Sequence, residues 1–467
     1  PRDIVFAKGR AFITTAHRGQ HLNHPSLANV PGAGDAQLNT AGINRADIWV
    51  FDGADLGAGL GGTPIKIISL FGDTPRALAV TPDELSVYAA VFHSGNQTTL
   101  VHESVMCQGF TDDDYGNKPC QVLDKISSPN GLADGMLPGG RPLPSTNKAG
   151  IPQPWTSMIV KYNNESGEWQ DSTGLNFSNA VRFNLPDLDV FEIDALSLEQ
   201  TAAFPHVGTT LFNMVVNPKT GELYVSNTDA NNATRFEGPG EYAGSTVQGD
   251  IARARITAIN PTEKTVKARP LNRHINYQLL KGNSQLKEHS VAIPTQLAIS
   301  ANGVNLYVAA MGSNKVAVYN TQDLENDQLW DNQGDEFDSI AASQRHIAVA
   351  GGPVGLVLNE QKNNLLVYTR FDNALVVIDP QTGEEQARLF MNNPESAQFK
   401  AGRAVLYDAN GFSSNGESAC ASCHIFADSD QLSWNLGNPD ADNSINPQPF
   451  PTAKFSSLGC DFVGPED

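Results

Sequence analysis

Several segments of this 467-residue chain repeat one grammar: an apolar strand after Pro, a turn, a second strand with aromatic or β-branched residues, a polar tip, then a third strand ending near Asp. PRDIVFAKGRAFITTAHRG…ADIWVFD and PRALAVTPDELSVYAAVFHSGN open the series; FNMVVNPKTGELYVSNTDANN, PTQLAISANGVNLYVAAMGSNKVAVYNTQ and PVGLVLNEQKNNLLVYTRFDNALVVIDPQTGEE continue it. Each unit reads as a small antiparallel sheet that cannot cover its own apolar face, so copies must stack. The pieces NPKTGEL, SANGVNL and DPQTGEE supply the Asn, Asp and Gly that tight turns need. Alternation at Leu306 and Val308, and at Val316 and Val318, fits strands with one buried face.

A unit of roughly 40 to 50 residues is the period of propeller blades. With LYVSN, LYVAA and LLVYT at the equivalent strand, the segments resemble the YVTN-type seven-bladed β-propellers, over about residues 1–392. The resemblance implies a mainly β architecture and leaves the activity open, because propellers serve in binding, scaffolding and catalysis. Residues 103–155 read as a loop insertion holding Cys107 and Cys120, and RFEGPGEYAGSTVQGDIARARI as a second loop extension. Cys107 and Cys120 bracket a polar loop able to close a disulfide, which would imply an oxidising compartment; the alternative is two free thiols.

After Asn392 the pattern changes, with helix-like spacing at Ala401, Ala404, Val405 and Leu406, so residues 393–467 are expected to begin a small, incomplete α-helical domain. It contains Cys420-Ala421-Ser422-Cys423-His424. Two thiols three residues apart followed by His is the spacing that fixes a haem covalently, each thiol adding to a vinyl group while the imidazole binds iron. A redox dithiol with an incidental His, or half a zinc site, is the rival reading; a zinc site needs two further ligands, and only Cys460 and scattered histidines are at hand.

GRAVLYDANGFSSNGESACASCHIFADSDQLSWNLGNPD resembles the first haem-binding segment of the di-haem cytochrome c peroxidase family. That resemblance implies thioether anchors at Cys420 and Cys423, a proximal ligand at His424, and an electron-transfer or peroxidase-like oxidoreductase acting with a redox partner protein, another cytochrome or peroxide. The sequence departs from the family after His424, where one Cys, no His and no Met remain, so a second haem motif is missing. A longer protein is the expected explanation, with the sixth ligand unassigned among Met311, Met391 and the histidines.

The formal charge of −20 is spread along the chain and leaves no basic patch for nucleic acid or an anionic membrane. No run of about 18 apolar residues occurs, so a membrane-spanning helix is not expected. The start at Pro1 implies a removed signal sequence or a missing beginning, and the haem motif implies a bacterial-type periplasmic or cell-surface location.

His17, His21 and His24 lie close enough to bind copper, zinc or haem iron, or are surface residues of a loop. A cell-surface scaffold with a haem relay, or a His-rich copper-binding protein, is the corresponding alternative function. Asp112, Asp113 and Asp114, and later Asp428 and Asp430, can hold calcium or be solvated acids. His93 shares the strand-end position of His17, while His206 and His274 read as satisfied loop or core imidazoles. LGAGLGG at Leu56–Gly62 reads as a turn, and no catalytic residue is assigned.

Overall fold

A computed structural model of the chain describes residues 1–15, 25–33, 46–101, 121–122, 125–126, 158–171, 187–232, 250–277, 284–328 and 345–434. It also describes residues 150, 174, 176–178 and 181. The chain divides into two compact units. The first holds residues 1–96, 187–230 and 249–430; the second holds 97–186, 231–248 and 431–467.

In the first unit the repeated segments become four-stranded antiparallel meanders. Sheet I is β1 (Ile4–Ala7), β2 (Arg10–Thr14), β3 (Ala46–Asp52) and β4 (Lys66–Leu70). Sheet II begins with β5 (Asp73–Val80) and β6 (Ser86–His93). The chain then leaves for the second unit, through β7 (Thr98–Val101), β8 (Gln121–Val122), β9 (Lys125–Ile126), β10 (Met158–Asn163) and β11 (Glu168–Gln170). It returns to finish sheet II with β12 (Val190–Asp194) and β13 (Gln200–Phe204).

Sheet III is β14 (Thr210–Val216), β15 (Leu223–Ala230), β16 (Ala252–Asn260) and β17 (Thr265–Pro270). Short helix α1 (Ser284–His289) leads to sheet IV: β18 (Pro294–Ile299), β19 (Asn305–Ala310), β20 (Lys315–Asn320), helix α2 (Thr321–Glu325) and β21 (Arg345–Ala348). Sheet V is β22 (Pro353–Asn359), β23 (Asn364–Thr369), β24 (Ala374–Ile378) and β25 (Glu385–Phe390).

The core lies between successive sheets. Phe12, Ile48 and Val50 of sheet I meet Leu78, Val87, Ala89 and Phe191 of sheet II. Tyr88, Ala90 and Phe204 on the reverse of sheet II meet Met214, Leu223 and Val225 of sheet III. Tyr224 and Ile256 then face Leu306, Val308 and Tyr319 of sheet IV. Tyr307, Ala309 and Val316 face Leu365, Val367 and Val376 of sheet V.

A strand has a side-chain period of two, so odd and even residues of one strand feed two different interfaces. The alternation at Leu306 and Val308 therefore marks a sheet buried on both faces, where the sequence suggested one. This face-to-face stacking of short meanders is the propeller arrangement, and the chain is mainly β. On the outermost faces Ile4 and Phe6 of β1, and Val357 of β22 with Leu389 and Phe390 of β25, remain exposed.

The turns show the expected chemistry. In NPKTGEL the Asn217 Oδ1 accepts from Lys219 N at 2.9 Å, and Gly221 takes φ +77. In DPQTGEE the Asp379 Oδ1 accepts from Gln381 N at 2.7 Å, and Gly383 takes φ +80. A register shift recurs where the first strand pairs with the second in sheets II, III, IV and V, bending the inner strand at one edge.

In the second unit β11, β10 and β7 form a three-stranded sheet, with Tyr162 and Trp169 packed edge to face. The insertion expected at 103–155 falls within this unit, and Cys107 and Cys120 lie outside the described residues. No helix among the described residues is long and apolar enough to cross a membrane.

Candidate functional site

The segment after sheet V folds as the periodicity predicts. Helix α3 (Ala397–Tyr407) starts at Ser396, whose hydroxyl accepts from Phe399 N, and ends at Asp408, which caps the short helix α4 (Ala409–Phe412) through Gly411 N. A loop then reaches a single tight turn at Cys420–Ser422. Cys423 N and His424 N both donate to Cys420 O, at 3.3 and 3.0 Å, and Ser422 Oγ accepts from Ala419 N.

The turn sorts its side chains. Cys420 and His424 are exposed, Cys423 is half-buried, and Ala421 and Ile425 are fully buried. Both cysteines are free, and among the described residues the His424 imidazole meets no protein partner.

The buried side rests on one edge of the stacked sheets. In each meander the first strand begins beside the end of the second: Asp73 opposite His93, Thr210 opposite Thr228, Pro294 opposite Ala310, Pro353 opposite Thr369. Side chains from that edge, Phe92, Phe212, Ile293 and Met311, form one apolar cluster with Tyr407, Ala409, Ala421 and Ile425. The motif is thus packed with the sheets in the same compact unit. Met311, a sixth-ligand candidate, is buried in this cluster, whereas Met391 is exposed just after β25.

Polar fastenings surround the cluster. Glu417, fully buried, accepts from Asn272 Nδ2 at 2.8 Å, from Ala254 N at 3.2 Å and from the Tyr277 hydroxyl. Ser418 Oγ donates to Ala252 O at 3.0 Å, and Ser290 Oγ donates to Asn415 O at 2.6 Å. The Tyr407 hydroxyl accepts from Phe426 N at 2.8 Å, and His93 Nε2 pairs with Asp428 Oδ2 at 3.0 Å. His93 Nδ1 is buried and has no hydrogen-bond partner among the described residues.

Gly416 has φ +80, and a Cβ there would stand 2.9 Å from Lys287 Cα and 3.0 Å from Ser290 Cβ. Gly416→Ala is expected to lower stability by about 2 kcal/mol, combining left-handed strain with overpacking. Urea unfolding checks it, and an unchanged midpoint would mean that the loop before Cys420 is not seated against α1.

Electrostatics follow burial. Burial pushes the Glu417 carboxyl up to about 7, although Asn272, Tyr277 and the Ala254 N–H oppose the rise. Burial and the neighbouring Asp430 carboxylate push the Cys423 thiol far up, so it stays protonated. Burial works against the Asp428 carboxylate, but the Ser429 N–H, His93 and Arg2 together hold its pKa below the ordinary value.

The donor set fits a covalently attached haem: two thiols outside any disulfide and, among the described residues, an imidazole without a protein partner, all on one turn. Exposed Phe399, Val405 and Phe412 of α3 and α4 add apolar surface on the helices leading into that turn.

The other expected sites are placed differently. His17, His21 and His24, and Asp112, Asp113 and Asp114, lie outside the described residues. Among the described residues no group of three His, Cys, Asp or Glu is arranged to hold a metal. Asp428 is paired with His93 and Asp430 sits beside Cys423, while His206 pairs with Asp187 at 2.7 Å and His274 meets Ser290 Oγ at 3.2 Å. Leu56–Gly62 is a turn, with Gly57 N donating to Asp55 Oδ1. Sequence reasoning missed Glu417 and Arg76, which carry no spacing signal; for His93 the strand-end position was visible, but its partner 335 residues away was not.

The site and fold together define a blade-type β protein carrying a CxxCH turn on one sheet edge. No protein-family model and no curated protein matches the chain. Among solved structures it is similar to hydrazine synthase of Kuenenia stuttgartiensis, with 14% identity, 71% of this chain and 89% of that one covered, and a TM-score of 0.32. It is also similar to the periplasmic gluconolactonase of Pseudomonas aeruginosa, with 10% identity, 76% and 67% covered, and a TM-score of 0.35. The Dos1 propeller shares 10% identity, with 84% and 70% covered and a TM-score of 0.32. The sheet topology of this chain itself carries the propeller reading.

Proposed function

We propose that this chain is a haem c protein of the periplasm or cell surface that transfers electrons to or from a redox partner protein or another cytochrome, with peroxide as a further oxidant. The observation that supports this most is the single turn carrying Cys420, the half-buried Cys423 and His424, whose imidazole has no partner among the described residues. When bound, the haem supplies one-electron redox chemistry whose potential follows axial ligation, burial and nearby charge.

The chain's own residues hold and orient. Cys420 and Cys423 would hold the haem through two thioethers, each S–H adding across one vinyl group so that no oxidant is consumed, and His424 would offer its imidazole to the iron. Ala421 and Ile425 anchor the turn in the apolar cluster, and Glu417 and Asp428 tie the segment to the sheets. The sheets act as a rigid platform that leaves the thiol and imidazole side open to a partner.

Expression in a host with a haem-attachment system, followed by intact mass and a pyridine haemochrome spectrum, tests the reading. Wild type is expected to carry one covalent haem, and Cys420→Ala, Cys423→Ala to carry none. Haem retained by the double variant, or a spectrum without the c-type band, would sink it.

A further inference from the structure

Arg76 lies on β5, the first strand of sheet II, near the edge that receives the motif segment. Its guanidinium carbon stands 5.0 Å from the Phe92 ring centroid and 4.3 Å from that of Phe426, two residues beyond His424. No carboxylate, carbonyl or hydroxyl among the described residues accepts a hydrogen bond from it, and its nearest charged neighbours are Arg2 and Asp3. The two Asp3 carboxylate oxygens are engaged elsewhere, accepting from Ile4 N at 2.9 Å and Leu78 N at 2.8 Å.

A half-buried guanidinium is normally met by a carboxylate or phosphate, because its five N–H donors form a planar fork suited to two oxygens. Two aromatic faces stabilise the charge and leave that fork unused. Burial, with Arg2 adding to it and Asp3 opposing, lowers the affinity of Arg76 for its proton to a pKa of about 10, so it remains a cation at neutral pH but a poorly compensated one. The two rings, with centroids 6.2 Å apart, meet the guanidinium from adjoining sides and accept no hydrogen bond from it, so its N–H donors are left for an oxygen ligand.

Resting on the haem reading above, we propose that Arg76 is a ligand-binding residue for a haem propionate carboxylate, supplied by sheet II to the cofactor attached at Cys420 and Cys423. The attached group carries two carboxylates, the acceptor class that hydrogen-bonds Arg76 nowhere among the described residues. The same contact would couple the platform to the redox centre: a cation close to the haem disfavours the oxidised, more positive state and so raises the potential.

The test uses full-length protein carrying haem. Arg76→Gln is expected to keep covalent haem by mass while shifting the reduced-to-oxidised ratio at fixed potential about tenfold toward oxidised, equivalent to about 59 mV for one electron. It is also expected to bring a propionate titration into the pH dependence of the midpoint potential. Arg76→Lys keeps charge and stacking but loses the fork; it is expected to recover most of the potential while still shifting the propionate-bending band in resonance Raman. If Arg76→Gln does not accumulate, the Lys variant carries the test through that band.

Covalent haem with potential and pH profile unchanged in Arg76→Gln, or an unchanged Raman band in Arg76→Lys, would overturn the proposal alone. Absence of covalent haem from wild type would overturn it together with the haem reading, and the mass measurement separates the two failures.

Discussion

Glu417→Ala is expected to cost about 4 kcal/mol of stability, measured as a lower urea midpoint, because it strips one acceptor from three donors at once, two of them buried. Asn272 Nδ2, Ala254 N and the Tyr277 hydroxyl all converge on that carboxyl; Asn272 and Ala254 are buried and Tyr277 is half-buried. Glu417→Gln keeps the shape and one carbonyl acceptor, so its cost is expected to be nearer 1 kcal/mol. The pair separates shape from charge.

The pH dependence gives the sharper result. The folded carboxyl is raised to about 7 from an ordinary 4.5, so between those values the folded state binds more protons than the unfolded chain. Its contribution is complete below about pH 4.5 and is lost as pH rises through about 7, by roughly 3 kcal/mol in all. Glu417→Gln should therefore gain stability relative to wild type as pH rises across that interval. Parallel profiles would mean that Glu417 is hydrated rather than enclosed beside Ala254.

The repeats made most of the fold legible. LYVSN, LYVAA and LLVYT were readable as the equivalent second strands, and they are β15, β19 and β23, whose residues alternate between two apolar interfaces. The fourth strands were not readable. EQARLF in β25 and TVKARP in β17 pair with a neighbour along one side and keep much of their length toward solvent, so selection for an apolar pattern is weak there.

At the site, Cys420, Cys423 and His424 announce themselves because covalent attachment demands a fixed spacing. Arg76, His93 and Glu417 serve through contacts with residues far along the chain, and a long-range contact leaves no local periodicity. His93 sits at the end of β6 and Asp428 just past the motif; only the stacking of the sheets brings the imidazole within 3.0 Å of the carboxylate. Helix α3 was foreseen from Ala401, Ala404, Val405 and Leu406, but which of these would be covered depends on the sheet edge, and Val405 remains exposed.

A second large effect is expected in acid, at a basic cluster beside sheet IV. Lys315 donates its Nζ to Ser290 O at 3.0 Å and to Glu288 O, while His274 and His289 stand with ring centroids 6.4 Å apart. His346, on β21, is lowered to about 3 from 6.5, first by burial and then by the charges of Lys315, His289 and His274. Lys315 is itself lowered to about 8 by burial, with Glu288 opposing, and remains largely charged at neutral pH. Protonating His346 would place another cation beside it in a poorly solvated site.

The folded chain therefore resists protonation at His346, while the unfolded chain takes up a proton near pH 6.5. Stability from this group is complete above about pH 6.5 and drains away as pH falls toward about 3, by on the order of 5 kcal/mol. His346→Gln removes the titration, so it is expected to be less stable than wild type at pH 7.5 through lost packing, and more resistant than wild type at pH 4. Glu417 works in the opposite sense across part of the same range, so between pH 4.5 and 6.5 the two contributions offset in wild type and the single variants are the decisive measurement. His346→Gln should lose stability as pH rises through that interval and Glu417→Gln should gain it, and single-variant profiles parallel to that of wild type would show that other groups govern acid stability.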